Sequence, residues 1–160
     1  MSKPQSPCSK CKGEMTVKSL DTFSGEEGEV KVTIQAMPAA VCGQGHKRFL
    51  YPMFAGLLMD MMMDEETYKF APGAVKKGLF TKRYHCPGCS QELPGLPTGS
   101  QSREMDVAFN NADPFKFVVV VPVYKCAGCG KECIRSIEET GKLAMSATGN
   151  AYRGADVHPT

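Results

Sequence analysis

Apolar and polar residues alternate at Val30, Val32 and Ile34, the period of a strand with one buried face. Farther along, Phe117-Val118-Val119-Val120-Val121 is apolar without a break, which predicts a strand covered on both faces or paired in an interface. Each run closes near a proline, Pro38 or Pro122, which cannot donate to a ladder and so marks an edge or a bulge. Shorter stretches at Met15–Leu20 and Met105–Phe109 predict a further hairpin in each half. Between the halves the period changes. Phe54, Leu57, Leu58, Met61 and Met62 recur at three- and four-residue spacing, and Pro52 suits a first helical turn, so a helix is expected over Met53–Lys69. Met59 and Met63 widen its apolar surface, while Asp60, Asp64 and Glu65 lie largely elsewhere. Ser136-x-x-Glu139 has the form of a capping box and predicts a short helix toward Met145, interrupted at Gly141. Pro94–Ser102 reads as a loop, and the Gly-, Asn-, Ala- and Thr-rich sequence from Ser146 reads as a mobile tail.

Composition narrows the class. A chain of 160 residues with 42% hydrophobic and 22% charged positions is neither an acidic disordered tail nor a histone-like basic protein. No stretch approaches the eighteen or so apolar residues of a spanning helix, so no membrane partner is expected. The opening Met-Ser-Lys-Pro-Gln-Ser-Pro has no apolar signal region, so the expected location is cytoplasmic. In that setting the eight cysteines are better read as thiolate ligands than as disulfides.

The cysteine spacing carries the chemistry. Cys8-x2-Cys11, Cys86-x2-Cys89 and Cys126-x2-Cys129 each put two sulfurs on one side of a tight turn, and Cys42-x3-His46 offers a sulfur and an imidazole. Paired in order, they predict one site of Cys8, Cys11, Cys42 and His46 and a second of Cys86, Cys89, Cys126 and Cys129, with two Zn2+ per chain. Iron in a rubredoxin-like tetrathiolate is the lesser alternative. Gly88, Gly128 and Gly130 stand where positive φ would be wanted. Cys133 and His85 are spare donors, read as neighbours of the second site rather than ligands.

The two halves repeat: knuckle, excursion, long strand, proline, and four residues later the second knuckle. Pro122-Val123-Tyr124-Lys125-Cys126-Ala127-Gly128-Cys129-Gly130, and more weakly Pro38-Ala39-Ala40-Val41-Cys42, resemble the YgiT-type zinc-finger family. That resemblance implies a metal-ligand role for Cys86, Cys89, Cys126 and Cys129 and for Cys8, Cys11 and Cys42. The chain departs from the family at His46, where a cysteine is expected, and has nothing that reads as its helix-turn-helix domain.

The expected fold is therefore small, β-rich α+β: two tandem zinc-ribbon or rubredoxin-like lobes linked by a Met-rich helix, with folding and metal binding a single event. The divisions are residues 1–51 for the first lobe, 52–79 for helix and basic linker, 80–146 for the second lobe and 147–160 for a flexible tail. The Met-rich helix packs between the ribbons or offers Met53, Leu57 and Met61 to a protein partner or a second copy. Lys76, Lys77, Lys82 and Arg83 form a basic segment that could meet phosphates. However, deprotonating seven cysteine ligands and adding two Zn2+ takes the formal charge from +2 to −1, too little for a global field. No phosphate loop, nucleophile elbow or His-Glu-x-x-His motif occurs, so no enzyme is expected. The reading is a zinc-stabilised binding or adaptor protein, regulatory in type, with a nucleic-acid-binding transcriptional regulator and a thiol-redox or metal-responsive switch as alternatives.

Overall fold

The computed structural model describes residues 5–81, 83–110 and 112–159. The first half forms β1 (Met15–Ser19), β2 (Phe23–Glu27), β3 (Val30–Gln35), β4 (Pro38–Cys42) and β5 (Lys47–Arg48). α1 (Phe54–Met63) and a 3-10 turn (Glu65–Tyr68) follow. The second half forms β6 (Val75–Lys77), β7 (Arg83–His85), β8 (Gly99–Val107), β9 (Phe115–Lys125), β10 (Glu132–Cys133), α2 (Ile137–Gly154) and β11 (Val157–His158).

The two apolar runs of the sequence are neighbours. β3 pairs antiparallel with β9 from Lys31↔Val120 to Gln35↔Lys116, with β2 on the outer edge of β3 and β8 on the other side of β9. Val32 and Ile34 of β3 and Phe115, Phe117, Val119 and Val121 of β9 point into one core. Val118 and Val120 on the opposite face are half-buried among Thr33, Ser102 and Glu104, so the β9 run is fully covered on one face only. Pro122 falls between the end of pairing with β3 at Val120 and the start of pairing with β10 at Tyr124, where a missing N–H breaks no ladder on that edge.

This pairing corrects the expected division into tandem lobes. Residues 1–51 and 80–146 contribute strands to the same sheet, and both helices pack on it, because neither half buries enough apolar surface alone. Ala36, with φ +59, turns the chain out of β3 and into β4, which belongs to a second sheet of order β1-β4-β5-β11. A two-stranded ribbon, β6-β7, stands apart from both.

The helices also differ from expectation. α1 stops at Met63, because Asp64 takes an extended conformation and accepts from the Glu66 N–H to start the 3-10 turn. Its buried residues are Phe54, Leu58 and Met62, one face at four-residue spacing, while Leu57 and Met61 lie half-buried and Met53 is exposed. α2 is the larger surprise, since residues 147–160 are not a flexible tail. The Ser136 Oγ accepts from the Glu139 N–H at 3.2 Å, as a capping box requires, but the helix continues through Gly141 to Gly154. A Cβ on Gly141 would stand 2.9 Å from the Met62 carbonyl oxygen, so the glycine that looks like an interruption admits α1. Ala144, Ala147, Thr148, Ala151 and Tyr152 are buried against β2, β3 and α1. β11 then pairs with β5 and buries Val157. In the second excursion, Gly99–Ser102 is strand rather than loop, paired with Val120–Val123.

Candidate metal centres

Each knuckle is a turn held by two backbone hydrogen bonds. The Cys8 N–H donates to the Gly13 carbonyl at 2.9 Å and the Lys12 N–H to the Cys8 carbonyl at 2.8 Å. Cys86 with Gln91 and Ser90, and Cys126 with Lys131 and Gly130, repeat the pattern at 2.8 to 2.9 Å. In all three, the residue four positions after the first cysteine has positive φ: Lys12 at 63°, Ser90 at 66° and Gly130 at 76°. Gly88 and Gly128 do not, which corrects the role expected of them. They leave room instead: a Cβ on Gly128 would lie 3.1 Å from Gln91 Cδ, and one on Gly88 would lie 3.3 Å from Lys131 Nζ. Gln91 and Lys131 occupy equivalent positions in their knuckles, so each reaches over the other's glycine in a two-fold exchange. Nothing in the spacing of the cysteines signals that exchange.

The fourth knuckle is one residue shorter. The Cys42 N–H donates to the His46 carbonyl at 3.1 Å, the Gly45 N–H to the Cys42 carbonyl at 3.0 Å, and Gly45 holds the positive φ at 86°. The ligand position thus falls after the left-handed residue rather than before it, and from there the imidazole brings Nδ1 within 3.4 Å of the Cys8 sulfur and 3.3 Å of the Cys42 sulfur.

Short hairpins carry these turns. Met15 of β1 faces Cys42 of β4, β9 and β10 pair at Lys125↔Glu132, and His85↔Glu92 bridges the base of the Cys86 knuckle. The result is two groups of four donors, Cys8, Cys11, Cys42 and His46 in one and Cys86, Cys89, Cys126 and Cys129 in the other, all within 4.8 Å of one another in each group. Cys11 and Cys42 Sγ are 3.7 Å apart, and His46 Nδ1 is 3.4 Å from Cys8 Sγ and 3.3 Å from Cys42 Sγ. In the second group Cys86–Cys129 and Cys89–Cys126 are 3.6 and 3.4 Å apart. Bonds of about 2.3 Å to sulfur give a tetrahedron with edges of about 3.8 Å, and a sulfur–nitrogen edge of about 3.5 Å. Each group therefore fits a four-coordinate zinc, and all eight cysteines are free, with sulfurs far beyond disulfide distance. Both sets are compatible with zinc-ribbon-like knuckles.

Cys133 lies outside both groups. It is fully buried under the second one, beside Cys86, Cys126, Tyr124 and Leu93. Burial, reinforced by those neighbouring sulfurs, pushes its thiol up to about 11, so it stays protonated and acts as apolar filling. His85 uses Nδ1 on the Ser90 carbonyl at 3.0 Å.

Of the residues expected to meet a partner, Lys76 and Arg83 lie on the β6-β7 ribbon with acidic companions, Glu139 at 3.7 Å and Glu92 at 3.2 Å, and Lys77 is exposed beside them. Lys82 lies outside the described residues. Sequence reasoning missed Arg135, whose guanidinium stands 4.4 Å from the Tyr84 ring and 5.9 Å from the Tyr124 ring, tying the ribbon to the second site. No helix among the described residues is long and apolar enough to cross a membrane.

The amides of the knuckles decide which sulfurs are ready for metal. The Cys11 N–H, aided by that of Lys10, lowers Cys8 to about 6, and the Cys89 and Gly88 amides do the same for Cys86. On Cys89 the Gln91 amide is outweighed by the facing Cys126 sulfur, burial and the two remaining sulfurs, which push it up to about 11. Metal binding at neutral pH must therefore expel protons, those of the raised thiols Cys89 and Cys11 included. We expect net proton release on zinc addition at pH 7. Cys8 and Cys86 should add to it only once the pH falls below about 6, where they too are protonated. Calorimetry in buffers of different ionisation enthalpy reads this directly, and a proton count that does not rise as pH falls contradicts it.

No family model, curated protein or solved structure matches the chain. The likeness to YgiT-type knuckles rests on the motifs alone, and the geometry of the two donor sets carries the functional reading.

Proposed function

We propose that the chain is a zinc-stabilised binding or adaptor protein, regulatory in type, in which two Zn2+ per chain are structural. The observation that carries this is the convergence of four protein donors in each set, edge lengths and all, on a closed tetrahedron. A catalytic zinc keeps a position for water or substrate, usually with three protein ligands. His46 fills that position in the first set, so neither site offers one, and the chain is read as a non-enzyme. The knuckle pattern is the part that resembles the YgiT-type family. A reducing, cytoplasmic setting belongs to the same reading, because Cys89 and Cys129 are exposed and would be oxidised elsewhere. Nucleic acid is the weaker alternative, since Lys76 and Arg83 already face carboxylates.

Native mass spectrometry of untagged protein tests this. Two zinc ions per chain are expected, falling to one in Cys126→Ser and one in Cys42→Ser. One metal in the unaltered chain, or iron in place of zinc, overturns the structural assignment of at least one site.

A further inference from the structure

From residue 67 to residue 91 the chain has five cations, Lys69, Lys76, Lys77, Lys82 and Arg83, and no acidic residue. The β6-β7 ribbon lies in this stretch, pairing Val75↔His85, Lys76↔Tyr84 and Lys77↔Arg83, with Gly78-Leu79-Phe80-Thr81 between its strands. Leu79 is 92% exposed and Phe80 100%, the two most exposed large apolar side chains among the described residues. Hairpin turns in water favour Gly, Asn, Asp and Pro, and of these only Gly78, with φ +123, is present. Single exposed apolar residues are ordinary, but two adjacent ones at the end of a projecting ribbon are not.

The base of the ribbon is fixed while the tip is free. Arg135 stacks on Tyr84, Arg83 pairs with Glu92, the Ala74 N–H donates to the Ile134 carbonyl, and β7 runs directly into Cys86 of the second metal site. The carboxylates that neutralise Lys76 and Arg83 also lie at this base. Lys77, opposite Arg83 in the last pair before the turn, has no ion-pair partner among the described residues.

We propose that the Leu79–Phe80 turn is a docking element for an anionic lipid bilayer, its two apolar side chains entering the interface while Lys77 meets lipid phosphates. A bilayer accepts both side chains at once. A single-stranded nucleic acid would stack on Phe80 but has no use for the aliphatic Leu79. The acid-free stretch supplies the complementary charge: Lys76, Lys77, Lys82 and Arg83 fall within three residues of Leu79 or Phe80 in sequence, where the attraction of an anionic leaflet acts. This is peripheral attachment, distinct from spanning, and it stands or falls independently of the structural zinc reading.

The chain contains no tryptophan, so Phe80→Trp places a single reporter at the tip. In the zinc-loaded full chain its emission is expected to shift to the blue with phosphatidylcholine vesicles containing phosphatidylserine. Phosphatidylcholine alone should leave it unchanged, and salt should reverse the shift. In sedimentation with the same vesicles, the double variant Leu79→Ser and Phe80→Ser should bind at least about tenfold more weakly, with its zinc content unchanged. Absence of the shift on anionic vesicles, equal binding by the double variant, or a shift with single-stranded oligonucleotide in place of vesicles overturns the proposal.

Discussion

Chelation is expected to unfold the four knuckles and the β6-β7 ribbon while the central sheet and both helices remain folded. The sequence suggests the opposite, because structural zinc in a small finger contributes about 10–16 kcal/mol, as much as a whole domain's net stability. In this protein, however, the main core contains no cysteine. It runs from Val30, Val32 and Ile34 through Phe54, Leu58 and Met62 to Phe117, Val119, Val121, Ile134, Ala147 and Ala151. The metal sites have only satellites: Leu93, Tyr124 and Cys133 with Cys86 and Cys126 at one, Met15 and Ala40 with Cys8 and Cys42 at the other. Clusters that small cannot order their loops once four donors repel or hydrate, whereas the main core has no stake in the metal. Hydrogen exchange of the chelated protein should show the amides of Cys86, Ser90, Cys126 and Gly130 exchanging at nearly unfolded rates, with those of β3 and of β9 up to Val121 still protected. In Cys126→Ser the loss should be confined to the second site and its ribbon, because the two satellites share no residue. Loss of protection in β3 and β9 together with the knuckles would mean that metal and fold are one event after all.

The knuckles were legible in the sequence because a Cys-x-x-Cys turn is local chemistry, complete within six residues. His46 was legible for the same reason, although the turn that carries it, one residue shorter than the others, needed the backbone. The strands at Val30–Ile34 and Phe117–Val121 were legible from their period, but period says nothing about partner. Pairing β3 with β9 joins residues separated by most of the chain, and with that pairing the expected tandem lobes become one sheet. The start of α2 was legible from its capping box, but its continuation past Gly141 to Gly154 was hidden for a different reason. Gly141, Ala144, Ala147, Thr148, Gly149 and Ala151 are small, and small residues read as loop when no large apolar stripe accompanies them. They are small because two other backbones come close: α1 at Gly141 and β2 at Ala147 and Ala151. The same confusion took Gly88 and Gly128 for left-handed turn positions when they are spaces under Lys131 and Gln91 respectively.

That close approach gives the second large effect: Gly25→Val should destabilise the protein by about 3 kcal/mol or more. Gly25 lies in the middle of β2 opposite Val32, on the face that α2 covers. A Cβ there would stand 2.9 Å from Ala151 Cα and closer still to the Ala147 carbonyl oxygen and the Ala151 nitrogen. These are backbone atoms of a capped helix, and they cannot rotate away as a side-chain end would. Either α2 lifts from the sheet, opening the contacts of Ala147, Thr148 and Ala151, or β2, which among the described residues pairs with β3 alone, leaves its edge position. Both routes cost core packing, and branching at Val adds a second collision to the first. For a chain of this length the melting temperature should fall by roughly 10 °C, with Gly25→Ala falling by less. Gly56 supplies the control: it lies on the exposed face of α1 with nothing within 4 Å of a Cβ, so Gly56→Ala should raise stability by about 0.5–1 kcal/mol. Calorimetric melting of the three variants separates the two causes, since Gly56→Ala reports helix propensity alone and the Gly25 pair reports contact. An unchanged melting temperature for Gly25→Val would show that β2 and α2 are not pressed together, and the small-residue face of α2 would then lack its reason.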